Sequence, residues 1–159
     1  MSKLPPKALI VAAALLGACA GPATASTARP PTIFVIPTDL PNGRVEITIS
    51  PSYALGAVAT IPVAISVRRG SATGPLTARI MASGISDGGV PAEVLVRELI
   101  VKPAVIAANA RASSTLTWDT RDANGIVVPA DAYTLLLEVR SDDGGLSRTV
   151  TASATLDLR

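Results

Sequence analysis

What most limits the fold of this chain is the spacing of its aliphatic residues, which recur at every second position. Val45, Ile47 and Ile49 share one face of the run Arg44–Ser50. Ile61, Val63, Ile65 and Val67 alternate with Pro62, Ala64, Ser66 and Arg68. The same period returns in Leu76, Ala78, Ile80 and Ala82, in Tyr133, Leu135, Leu137 and Val139, and in Val150, Ala152, Ala154, Leu156 and Leu158. A strand places successive side chains on opposite faces, so this period marks strands buried on one side. No window carries the 3.6-residue period of a long amphipathic helix; the alanine-rich piece Val105–Ala112 is expected to make one helical turn at most. Val94–Lys102 alternates poorly, which predicts a bulge or a strand covered on both faces.

Turn signals separate the runs: Pro41-Asn42-Gly43, Ser71–Pro75, Ser86–Gly89 and Ser141–Gly145. Short strands at this spacing, about seven over 32–159, predict an all-β antiparallel sandwich. The last strand runs to Arg159, so the sandwich is expected to carry no further domain after it. Only 3% of residues are aromatic against 48% apolar, so the core is aliphatic. An aromatic platform of the kind that stacks sugars or bases has few candidates, namely Phe34, Tyr53, Trp118 and Tyr133.

The chain has no histidine, which removes the usual general base and the commonest transition-metal ligand. Nucleophilic catalysis would then need lysine or a carboxylate as base, and Lys102 is the one lysine beyond the N-terminal segment. No G-x-S-x-G, S-x-x-K or phosphate-loop pattern is present, so no enzyme activity and no cofactor are expected. The net charge of +2 suggests an anionic partner at first. Lys3 and Lys7 account for it: without them the 14 basic residues fall to 12, against 12 acidic ones. Arg68-Arg69 is the single adjacent basic pair, and a nucleic-acid partner is not expected.

The first residues have the form of an export signal, with Lys3 and Lys7 ahead of the apolar stretch Ala8–Leu16. Nine apolar residues are too few for a stable membrane span. They lead into Leu16-Gly17-Ala18-Cys19, which resembles the lipobox of bacterial lipoproteins. The resemblance implies a signal peptide over 1–18 and acylation of Cys19, which becomes the new N-terminus. Two or more acyl chains suffice for stable attachment to a membrane. The same family pattern implies the outer membrane in a double-membraned cell, since Ala20 rather than aspartate follows the cysteine. The competing reading is a free secreted protein cleaved after Ala25, in Ala23-Thr24-Ala25. Residues 19–31, small, polar or proline, make a flexible tether. Cys19 is the only cysteine, so no disulfide supports the fold.

One stretch, WDTRDANGIVVPADAYTL from Trp118 to Leu135, is denser in signals than the rest. Asn124-Gly125 is a strong hairpin signal, because both residues tolerate positive φ. Asp119 and Asp122 suit hydrogen bonds to turn amides, and Arg121 suits covering them. Trp118 and Tyr133 are expected as core anchors on either side, with Pro129 limiting pairing before the next strand. The metal reading places Thr120, Asp122, Asn124, Gly125 and Asp131 at positions 1, 3, 5, 6 and 12 of a calcium loop. That template wants a carboxylate first and a bidentate glutamate last, so Asp119, Asp122, Asn124 and Asp131 make a poor ligand set.

The stretch resembles the pattern W-D-G-R-D-x-x-G-x-x-V-P-x-G-x-Y of the Ig-like domain of the flagellar hook-capping protein, with Trp118, Asp119, Arg121, Asp122, Gly125, Val128, Pro129 and Tyr133 in register. Val94–Leu99 is similar to the strand that precedes it in that family. The resemblance implies a sandwich of the Ig or fibronectin type III kind; it does not imply hook capping. Thr120 and Asp131 stand where that family has glycine. If those positions need positive φ, Asp131 adapts more readily than Thr120, and the first turn is reshaped. Together these readings predict a lipid-anchored envelope protein whose sandwich is a structural or protein-binding module for another envelope protein. A carbohydrate- or cell-wall-binding module is the alternative; it would need Phe34 and Tyr53 exposed on one surface.

Overall fold

The structure is a computed structural model that describes residues 32–85, 89 and 91–159. The signal segment 1–18, Cys19, the tether 19–31, the cleavage site after Ala25 and most of the Ser86–Gly89 turn lie outside the described residues. Nine strands follow one another: β1 Phe34–Leu40, β2 Gly43–Ile49, β3 Ala59–Val67, β4 Ser71–Ile85, β5 Pro91–Leu99, β6 Ala104–Ala107, β7 Arg111–Trp118, β8 Ala132–Asp143 and β9 Leu146–Asp157. They form two antiparallel sheets, one in the order β1-β2-β3-β7 and one in the order β5-β4-β8-β9, with β6 paired to β4. The fold is therefore the all-β sandwich that the alternation predicts.

The core is where the period of two places it. Val45, Ile47, Ile61 and Val63 on one sheet face Ala78, Ile80, Leu135, Leu137 and Leu156 on the other, all of them buried. Fully burying a side chain of the Val, Leu or Ile kind is worth about 1.5–3 kcal/mol. An aliphatic interleaf of this size can thus hold the sheets together without a disulfide.

The count of seven strands is corrected to nine, and the two additions have a common cause. β1 carries Pro37 in its middle, and β6 has only four residues. Each is an outer strand bonded to a single neighbour, where the sequence need not keep a clean two-faced pattern. The helical turn expected in Val105–Ala112 is absent: the piece supplies β6, a tight turn with Asn109 at φ 59°, and the start of β7. Ser71–Pro75 is not a turn either. The chain reverses at Arg68–Gly70, with Gly70 at φ 64°, and Ser71–Thr73 pairs with both β6 and β8 while Gly74 pairs with β6. The glycine and proline of that segment fall at a register shift against β8 between Thr73 and Thr77. Val94–Lys102 contains the expected bulge. Ile80 pairs with Arg97 and Met81 with Leu95, so Val96 is the extra residue on β5.

Proline also explains where pairing stops. The ladder from β2 to β3 ends at Ile47–Val63. The next pair would require a donor from Pro62, which has none.

Candidate functional site

The Trp118–Tyr133 corner begins at the end of β7 and finishes at the start of β8. Trp118 is buried, and its indole N–H donates to Arg121 O at 2.9 Å. Its ring meets Tyr133 edge-on, with centroids 5.4 Å apart. The Tyr133 hydroxyl donates to Pro129 O at 2.9 Å, and burial, followed by the charge of Asp131, pushes this phenol above its usual pKa. Both rings act as anchors with satisfied polar tips, as an aromatic pair in a core requires.

Every carboxylate of the corner is turned onto backbone. Asp119 Oδ1 accepts from Arg121 N at 3.3 Å, and Asp131 Oδ1 from Ala132 N at 2.7 Å. Asp122 Oδ1 accepts from Asn124 N and Ile126 N, each at 2.9 Å. The Ile126 amide is the main reason that the Asp122 carboxyl sits below its ordinary pKa. Arg121 closes the loop by donating to Gly125 O at 2.7 Å. Gly125 N donates to Asp122 O, and Gly125 has φ 80° whereas Asn124 does not adopt positive φ. The loop is thus a turn followed by a glycine bulge, not the two-residue hairpin that Asn124-Gly125 suggests. Among the described residues no three histidine, cysteine, aspartate or glutamate side chains are grouped to hold a metal ion.

Thr120 adopts the left-handed conformation, at φ 55°. Its hydroxyl supplies the compensation. The side chain is fully buried, and Oγ1 accepts from Gly56 N at 2.9 Å and lies 3.2 Å from Ala57 O, tying the corner to the β2–β3 loop. Asp131, at the second glycine position, does not adopt positive φ. The corner also docks on the β5 bulge. Ala123 N donates to Val96 O at 3.0 Å and Arg97 Nη1 to Asp122 O at 2.6 Å. Beside these contacts lies a shallow cleft of about 380 Å³ whose lining includes Leu95, Val96, Val128, Pro129, Asp122 and Asp131.

A larger cleft, of about 540 Å³, lies at the other end of the strands. The β1–β2 turn and the β3–β4 turn line it, with Asp39, Arg44, Arg68 and Arg69 as its charged groups. Beneath it Asn42 is buried at 2% exposure. Asn42 Nδ2 donates to Ser71 O at 2.6 Å and to Asp142 O at 3.3 Å, and Oδ1 accepts from Ser141 Oγ at 2.8 Å. One amide thereby pins a turn of one sheet to two strands of the other. Neither the cleft nor this peg is visible in the sequence pattern. The Arg68-Arg69 pair and the Asn42-Gly43 step were the available signals, and each has the form of an ordinary turn.

Of the four aromatic residues, Tyr53, Trp118 and Tyr133 are buried and Phe34 is half exposed. Tyr53 does not join Phe34 on a surface, so the platform that the carbohydrate reading needs is not formed.

The class of protein defined by these features is a two-sheet antiparallel β-sandwich with a hydrogen-bonded corner and an arginine-lined cleft at opposite ends. No family model and no curated protein matches the chain. Among solved structures, a β-glucosidase from Listeria innocua in complex with isofagomine is similar over 80% of this chain at 11% identity, with a TM-score of 0.42. The matched part is 16% of that enzyme's chain.

Proposed function

We propose that this is a lipid-anchored protein of the cell envelope, held through Cys19, whose Ig-like sandwich binds an extended segment of another envelope protein. The anchor rests on Leu16-Gly17-Ala18-Cys19, with an outer-membrane location in a double-membraned cell. The binding role rests on one observation, the open edge of β9.

β9 is twelve residues long, pairs only with β8, and contains neither proline nor lysine. The two-residue loop Gly144-Gly145 makes Asp143–Leu146 a bonded pair. Backbone groups alternate direction along a strand, so those of Ser147, Thr149, Thr151, Ser153 and Thr155 point away from β8. All five side chains are exposed. The next residue in the series confirms the parity: Asp157 O accepts from Tyr53 N. Unpaired strand edges are usually blunted by proline, lysine or a bulge, and a long unblunted one is a template for a further strand. β1 shows the contrast. By the same parity Pro37 faces its open edge and removes the central donor.

A catalytic role has less support. Of the serine hydroxyls bonded to side chains, Ser141 donates to the Asn42 amide, and Ser147, on an exposed strand end, sits between the Arg140 guanidinium and the Asp142 carboxylate, which Arg140 already pairs. A carbohydrate-binding role lacks its aromatic surface.

The test begins with intact mass from a bacterial membrane fraction, beside Cys19→Ser. A chain starting at Cys19 with acyl groups, lost together with membrane retention in Cys19→Ser, supports the anchor. A soluble chain starting at Ser26 without lipid overturns it and leaves a free secreted module. The edge is tested by Thr151→Pro, which removes an outward N–H and no bond to β8. A protein that co-purifies with the wild type and is lost with Thr151→Pro, at an unchanged unfolding midpoint, supports strand addition. Equal retention by both overturns it.

A further inference from the structure

We infer that the cleft between the β1–β2 and β3–β4 turns is a binding site for an oxyanion, a carboxylate or a phosphate group, with Arg68, which has no ion-pair partner among the described residues, as its cationic ligand. Three arginines and one aspartate line the cleft. Arg44 is paired with Asp39 at 3.2 Å, and Arg69 with Asp143 at 2.7 Å. Arg68 makes no ion pair among the described residues. The cleft thus keeps an excess of positive charge after its internal pairs are formed. Those pairs are weak holders of their arginines. The Asp39 side chain is 80% exposed and the Arg69 side chain 70%, and exposed pairs are screened and readily exchanged.

The walls are fixed, which distinguishes this cleft from arginines scattered on a surface. Arg68 N donates to Asn42 O at 2.8 Å, and the buried Asn42 side chain fastens the same turn to Ser71 and Asp142. Gly43 and Gly70 are pressed so closely on the carbonyls of Ser66 and Asp142 that a Cβ on either would overlap backbone. The guanidinium groups therefore rise from two turns locked to each other and to β8. A guanidinium presents a planar fork of donors that matches two oxygens of a carboxylate or phosphate, and holding its base still lowers the ordering cost of binding. The charge is confined to this one cleft and forms no stripe, so it suits a single anionic group and not a polyanion backbone. The site lies at the opposite end of the strands from the corner, and no residue of β9 lines it, so it stands whether or not strand addition does.

The experiment is an amide-shift titration of the full isotope-labelled chain in detergent. It uses inorganic phosphate and acetate separately, each against chloride at equal ionic strength. The expected result is a saturable shift at residues 39–44 and 68–70 with at least one of the two anions, at a dissociation constant on the order of 1 mM. Saturation by phosphate alone identifies a phosphoryl group as the ligand, and saturation by acetate identifies a carboxylate. Arg68→Gln should weaken binding roughly tenfold, the worth of one charge-assisted hydrogen bond, at an unchanged unfolding midpoint. Arg68→Lys should recover part of the affinity, and Arg121→Gln, at the far corner, none of the loss. Absence of saturation with both anions overturns the inference. So does an unaltered affinity in Arg68→Gln, or an equal loss in Arg121→Gln.

Discussion

Replacing Asn42 by alanine should destabilise this protein far more than a turn substitution ordinarily does. The amide makes three hydrogen bonds under 2% exposure, and its partners belong to the opposite sheet. Asn42→Ala leaves the Ser141 hydroxyl, itself 1% exposed, without an acceptor, which costs about 1–3 kcal/mol. The lost bonds to Ser71 O and Asp142 O add about 1 kcal/mol between them. The expected total is about 3 kcal/mol. Trp118, the one tryptophan and fully buried, supplies a fluorescence signal for urea unfolding. At a slope of about 1.5 kcal/mol per molar the midpoint should fall by roughly 2 M. Ser141→Ala alone should cost about 1–2 kcal/mol, since it orphans the Asn42 carbonyl oxygen. The double variant is decisive. With both partners gone no buried group is left unpaired at that bond, so its cost should not exceed that of Asn42→Ala alone. A loss below about 1 kcal/mol in Asn42→Ala, or strict additivity in the double variant, would refute the peg.

Thr120→Val keeps the shape and removes the hydroxyl that serves Gly56 N, so it should lower stability by about 1–2 kcal/mol in the same assay, whereas Thr120→Ser should retain the hydrogen bond. Tyr133→Phe deletes the bond to Pro129 O and should cost about 1 kcal/mol with the fold intact by circular dichroism. Gly70→Ala combines φ 64° with overlap on Asp142 O and should be among the most damaging alanine substitutions in the chain, read as loss of soluble folded protein. The Asp122 carboxyl is held below its ordinary pKa in the folded chain, chiefly by the Ile126 amide. The unfolded chain therefore binds more protons over that interval, and the Asp122 contribution, complete above the unfolded pKa, fades as pH falls through the folded one. Asp122→Asn should accordingly flatten the acid limb of the stability–pH curve below about pH 4, measured by urea titration at fixed ionic strength.

How far the sequence carried the fold follows from which strands need a pattern. β2, β3, β8 and β9 each cover a core face and keep strict alternation, so their positions are plain from the residues alone. β1 and β6 border a sheet or cling to one neighbour, and Pro37 or sheer brevity hides them. In Ser71–Pro75 the glycine and proline have the form of a reversal. In the fold they mark a register shift within a long strand. The corner at Trp118–Tyr133 was legible because its hydrogen bonds are local, Asp122 to Asn124 and Ile126 being the example. The arginine cleft was not, because Arg44 and Arg68 are separated in sequence and only the pairing of β2 with β3 brings them together. Asn42 was hidden for the same reason: its partners are 29 to 100 residues away.

Asn42 has one more consequence, which concerns ageing. It precedes Gly43, as Asn124 precedes Gly125, and an asparagine before glycine is the kind most readily attacked by the next amide nitrogen and hydrolysed through a succinimide. The Asn124 side chain lies on an exposed loop, so its conversion proceeds in the folded protein and counts elapsed time. The Asn42 amide is clamped from both sides and reacts only while the sheets are apart. An aspartate formed there would set carboxylate oxygens against the carbonyls of Ser71 and Asp142, so a molecule that has once opened long enough to react does not close to its former stability. Isoaspartate at 124 thus dates the molecule, whereas isoaspartate at 42 records how often it has come undone.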